Sequence, residues 1–136
     1  MASCSTYPRD IDGTLDRIEQ SHVVRVGLAE LRPGQQAKAQ QFIARIEHVT
    51  GARATIDMAP AEAQLARLEE GGLDLVIGEF ADDTPWIETV AVLEPLDHRA
   101  VGHHQFGLAP AAANGENCWI GLLEHEIRSA TASPRS

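Results

Sequence analysis

Two stretches, "HVVRVGLAE" at 22–30 and "LDLVIGEF" at 73–80, constrain the fold most, because their apolar residues are consecutive rather than alternating. A strand that is apolar on both sides must be covered on both faces, which is the habit of a parallel sheet flanked by helices. The segments between them fit that requirement. "GQQAKAQQFIARIEHVTG" places Ala39, Phe42, Ile43, Ile46 and Val49 at helical spacing and ends on Gly51, suited to closing a helix. "ARATIDMA" alternates Ala54, Ile56 and Met58, as a strand does. Pro60 opens "PAEAQLARLEEGG", with Ala63, Leu65 and Leu68 on its inner side and glycines at its end. The series is strand–helix–strand–helix–strand with short connections, and it predicts an α/β fold with a mostly parallel sheet.

The flanking segments complete one domain. "GTLDRIEQ" is a short amphipathic helix carrying Leu15 and Ile18. "TPWIETV" predicts a helical turn capped by Thr84, with Pro85 at its first position. "VAVLEPL" and "HQFGLAP" are further strand candidates. The last helix is expected to be capped by Asn114, with Glu116 in its first turn and Trp119, Ile120, Leu123 and Ile127 as its apolar stripe. The expected organisation is a flexible lead over 1–10, a single domain over 11–130 and a disordered tail over 131–136.

Hydrophobic residues make up 43% of the 136, enough for one core, while aromatics are only 4%, so that core is built from Leu, Ile, Val and Ala. The net charge of −9 argues against nucleic acid, whose phosphates need a basic face. No apolar run is long enough to span a bilayer. The two cysteines, Cys4 and Cys118, are too few for a disulfide framework, and Cys118 falls in an apolar helical pattern that makes it a small core residue.

Chemistry-bearing clusters are few. No serine lies in a nucleophile elbow, and "RPGQQAK" lacks the ending of a phosphate-binding loop, so neither an enzyme nor a nucleotide cofactor is expected. "DHRAVGHH" gathers Asp97, His98, His103 and His104, but adjacent strand histidines point to opposite faces, so no metal site is expected. The informative region is the end of the third strand. In open α/β sheets, ligands bind beyond the carboxyl ends of the strands. There Gly78, Glu79 and Phe80, followed by Asp82, Asp83, Thr84 and Trp86, meet Glu30 from the first strand's tip. Gly78 allows close backbone approach, the carboxylates suit a cationic solute or a basic partner, and Trp86 offers an aromatic platform. The other reading is a solvated acidic loop beside a tryptophan that covers the sheet edge.

"GTLDRIEQSHVVRVGLAE", "LARLEEGGLDLVIGEFADDTPWIETVAVLEPL" and "NGENCWIGLLEHEI" together resemble the amino-acid-type periplasmic solute-binding proteins of ABC transporters, over most of residues 13–128. The resemblance implies one lobe of that fold, a periplasmic location and capture of a small solute for a membrane transporter. Two departures stand out. The family's second lobe follows the strand "VAVLEPL", whereas here only "DHRAVGHHQ" precedes the returning "FGLAP". The family also places an arginine after the third strand to hold the ligand's carboxylate; here Trp86 falls at that position among Glu79, Asp82 and Asp83. The expected function is therefore a single-lobe substrate-binding domain for a small solute, cationic by its acidic edge. The alternative is a periplasmic lipoprotein that uses the same face for a protein partner or for homodimerisation. Cys4, preceded by Ala2 and Ser3, resembles the lipidated cysteine of bacterial lipoproteins whose signal has been removed; it reads equally as an incidental N-terminal cysteine.

Overall fold

The computed structural model describes residues 10–131, so the reading of Cys4 lies outside the described residues. Helix α1 (Thr14–Ser21) leads into β1 (Val23–Leu28), α2 (Pro33–Thr50), β2 (Arg53–Met58), α3 (Ala61–Glu69) and β3 (Leu75–Ala81). A 3-10 turn (Pro85–Glu88) precedes β4 (Val90–Val92), β5 (Asp97–Val101), β6 (His104–Ala113) and α4 (Asn117–Thr131). The sheet order is β2-β1-β3-β6-β4, with β5 also beside β6. β1 pairs in parallel with β2 and β3, and β6 runs antiparallel to β3, β4 and β5, so among the described strands β6 opposes the common direction.

Alternation along β3 divides the core in two. Leu75 and Ile77 face a cluster with Ile18, Phe42, Ile46, Trp119, Leu123 and Ile127, from α1, α2 and α4. Val76 and Phe80 face the other side, with Leu65 and Leu68 of α3 and with Val90, Ala109 and Ala111. A sheet covered by helices on both faces is the three-layer architecture that the consecutive apolar runs require. Cys118 is buried in the first cluster, but it is disulfide-bonded and not the free core thiol that its position in the apolar stripe suggests.

Local details depart from expectation. Asn114 is exposed and does not cap α4. The cap is the carboxylate of Asp10, distant in sequence, whose Oδ1 accepts from the amides of Cys118 (2.7 Å) and Trp119 (3.1 Å) while Oδ2 accepts from Leu15 (3.0 Å). Glu116 is 1% exposed and accepts from the amides of Asp12 and Thr14, which ties the chain entering α1 to the start of α4. On α3 the inner position falls to Gln64 rather than to the exposed Ala63. The Gln64 amide nitrogen donates to the carbonyls of Leu28 (3.1 Å) and Asp57 (2.9 Å), satisfying backbone acceptors at the ends of β1 and β2. Helical spacing cannot distinguish an inward alanine from an inward glutamine recruited by carbonyl groups elsewhere in the chain.

The largest departure is β5. The segment read as a link between two strands is a strand itself, returning into β6 through a two-residue turn, Gly102 and His103, with Gly102 at φ +61°. All five β5 residues are exposed, so no apolar pattern marks the strand.

Candidate functional site

The carboxyl ends of β1, β2 and β3 lie at one edge of the sheet, where the parallel register places them. At this edge β3 hands its side chains to opposite faces. Gly78 lies against Ala29 and Phe80; a Cβ added there would sit 3.1 Å from the Ala29 methyl group and 3.1 Å from the Phe80 ring. Its lack of a side chain makes room for that packing.

Glu79 turns toward α2. Its Oε2 accepts from the Gln35 amide at 2.8 Å and from Arg99 Nε at 2.6 Å, and its Oε1 accepts from Arg99 Nη2 at 2.7 Å. Arg32 adds a longer ion pair at 3.6 Å. Hydrogen bonding from Arg99 outweighs desolvation and holds the Glu79 carboxyl below its ordinary pKa, with help from Gln35 and Arg32. Glu79, read from the sequence as one of the carboxylates open to a cationic solute, is instead neutralised within the chain. The guanidinium that does this belongs to β5, the strand hidden in the sequence.

Phe80 turns to the other face and is 7% exposed. Beside it opens a pocket of about 270 Å³ between the end of β3, the 3-10 turn, and the strands β4, β5 and β6. Phe80, Ile87, Val92 and Pro95 give it apolar walls, and Asp82, Thr84, His98 and Gln105 supply its polar atoms; the Phe106 ring lies on the α2 face, with the Arg99 guanidinium 5.3 Å over it. Backbone pairing orders the mouth, since the Asp82 amide donates to the Gln105 carbonyl at 3.0 Å. The Thr84 hydroxyl accepts from the Trp86 amide, capping the 3-10 turn as its sequence predicts.

The candidate residues thus separate. Phe80, Asp82 and Thr84 line the pocket, Glu79 lies across the sheet in its cluster of cations, and Asp83 and Glu30 are exposed outside the pocket lining. Trp86 is partly buried against the Phe80 cluster and does not line the pocket. The carboxylates of Asp82 and Asp83 make no hydrogen bond or ion pair with other described residues. The sequence raises His98 only as a metal ligand, and Gln105 and Pro95 not at all, because all belong to the hairpin or its approach; the short turn between "HRAV" and "HQFGLAP" was the signal that could have placed them here. Among the described residues no group of three His, Cys, Asp or Glu side chains converges to hold a metal ion. No helix among them is long and apolar enough to cross a membrane.

No protein-family model matches the sequence, and no curated protein matches it. Solved structures do match the fold. Domain 1 of TmArgBP in its arginine-bound form superposes with a TM-score of 0.68 at 15% identity, covering 84% of this chain and 98% of that one. AncCDT-1, an ancestral cationic amino acid solute binding protein, gives a TM-score of 0.53 at 17% identity over 62% of this chain and 41% of its own. The periplasmic domain of B. pertussis BvgS gives 0.51 at 16% identity over 75% of this chain and 25% of its own. The first comparison is with an isolated lobe, which this chain covers almost completely. The chain has the fold of a single lobe of an amino-acid solute-binding protein.

Proposed function

We propose that this chain is a single-lobe solute-binding domain of the periplasm that captures a small cationic solute, of amino-acid size, in the pocket beside Phe80. The carrying observation is the pairing of an apolar pocket with an uncommitted carboxylate, Asp82, among its lining residues. With Glu79 neutralised by Arg99, the negative charge left at this edge belongs to Asp82 and its neighbour Asp83. A cationic head would meet Asp82, its apolar stem would rest on Phe80, Ile87 and Val92, and Thr84, His98 and Gln105 would supply further polar contacts. A ligand of net negative charge would meet the repulsion of Asp82 and Asp83, and Arg99 is already paired to Glu79.

The comparisons support a lone lobe as a binder, since the TmArgBP domain is arginine-bound without a second lobe. The periplasmic setting draws on the BvgS likeness, and the role is capture for a membrane transporter without turnover of the solute. Thermal unfolding with millimolar arginine, lysine, putrescine, leucine and glutamate tests the reading. A ligand at about 100 times its dissociation constant adds about 2.7 kcal/mol, a shift of several degrees for a domain of this size. The expected result is a rise with the cations, absent with glutamate and reduced in Asp82→Asn. A rise with glutamate alone, or with none of the five, overturns the reading.

A further inference from the structure

The sheet has an edge, β2, that none of the described elements pairs with on its outer side, and its side-chain order is its own complement. In β2 the amide of Arg53 donates to His22 and the amide of Ala59 to Leu28, so the odd-numbered backbone groups face β1. By alternation the amides and carbonyls of Ala54, Ile56 and Met58 point outward. Ile56 and Met58 are 43% and 58% exposed, unusual for apolar side chains on an edge strand. On the opposite side of the strand lie Arg53, Thr55 and Asp57. The Arg53 guanidinium has no partner among the described residues, while Asp57 holds Arg67 at 2.6 Å.

We propose that a second copy of this chain docks on this edge, β2 against β2, antiparallel and centred on Thr55. A two-fold axis at Thr55 sets Arg53 of each copy opposite Asp57 of the other, so both ion pairs form at once. The same register joins Ala54 and Ile56 across the interface as hydrogen-bonded pairs, which uses the outward backbone groups of both residues. Two Thr55 side chains meet at the centre, where β-branched residues fit a paired strand. A register centred on Asp57 would instead oppose two carboxylates. Two contacts compete with docking: Glu47 Oε2 accepts from the outward Ala54 amide at 2.7 Å and must swing aside, and Asp57 must share its carboxylate with Arg67. The dimer is therefore in exchange with monomer rather than permanent, and Glu47 sets its strength.

Sedimentation of the full chain from micromolar to millimolar concentration tests the proposal. The expected result is a concentration-dependent dimer that strengthens in Glu47→Ala. Arg53→Glu and Asp57→Lys, both at exposed positions and checked for folding by circular dichroism, should each weaken self-association at least about tenfold by opposing like charges twice. Mixing the two variants should restore a dimer, because each then faces its opposite charge. A monomer at every concentration overturns the proposal. So does a dimer indifferent to both substitutions, or two weakened variants that do not recover on mixing.

Discussion

Arg99 grips Glu79 with two parallel hydrogen bonds, Nε to Oε2 at 2.6 Å and Nη2 to Oε1 at 2.7 Å, joining β5 to β3 across the intervening β6. This pair stands on the α2 face, and the pocket opens on the other face of the same three strands. It fastens the pocket's floor from behind. Because hydrogen bonding to Arg99 depresses the Glu79 pKa in the folded state, the resulting stabilisation is present above the ordinary carboxylate range and is lost as pH falls through the folded pKa. In Arg99→Gln the Glu79 titration, followed by NMR of its side-chain carboxyl, should move upward toward that range. An unmoved midpoint would show that Arg99 does not hold this carboxylate in solution.

Asp74 carries a second pH dependence. Its side chain is 1% exposed and is paired to Arg17 and Arg25, and it also accepts from the Arg25 amide at 2.8 Å. Burial pushes its pKa up, but hydrogen bonds from Arg25 and Arg17 together outweigh burial and leave it below the ordinary value. The Asp74 contribution is therefore present at neutral pH and disappears in acid, below about pH 4. Asp74→Asn should cost about 2–3 kcal/mol, less than a fully buried pair because both guanidinium groups reach solvent. Urea unfolding at pH 7 and pH 3 checks both points, since the difference between wild type and variant should shrink at pH 3.

The two tryptophans should separate cleanly. Trp119 is fully buried, and its indole nitrogen donates to the Asp74 carbonyl at 2.8 Å, whereas Trp86 is only partly buried beside the second core cluster. Trp119→Phe leaves that buried carbonyl without its donor and opens space, for a loss of about 1–3 kcal/mol. Trp86→Phe should lose less than about 1 kcal/mol by the same urea measurement.

Gly27 is needed for space. A Cβ there would sit 2.7 Å from Leu73 Cδ1 and 2.8 Å from Gln64 Cδ, inside the contact that secures the ends of β1 and β2. Gly27→Ala should destabilise the domain by about 1–3 kcal/mol through overpacking and displacement of Gln64. Hydrogen exchange at Leu28 and Ala59 should rise with it, and unchanged exchange would contradict this role for Gln64.

The three-layer fold was legible because apolar runs such as 75–77 must be buried on both faces, and helical spacing in α2 and α4 marked the layers that bury them. The site was legible only as far as local sequence reached. Phe80, Asp82 and Thr84 follow from the end of β3. The partner that neutralises Glu79 does not, because Arg99 stands on an exposed strand without apolar alternation. The Asp10 cap on α4 is hidden for a related reason: it joins segments at opposite ends of the domain, and Asn114 fits the local pattern equally well. Long-range polar contacts leave little trace in periodicity.

The most direct test of the central claim is a two-dimensional amide NMR titration of the chain with arginine. Saturable shifts centred on residues 80–84, His98 and 105–107 are expected, with weaker binding by about tenfold in Asp82→Asn, the size of a lost charge-assisted contact at an open site. Shifts centred instead on Arg32, Gln35 and Glu79, or a spectrum unchanged by arginine, would contradict that claim.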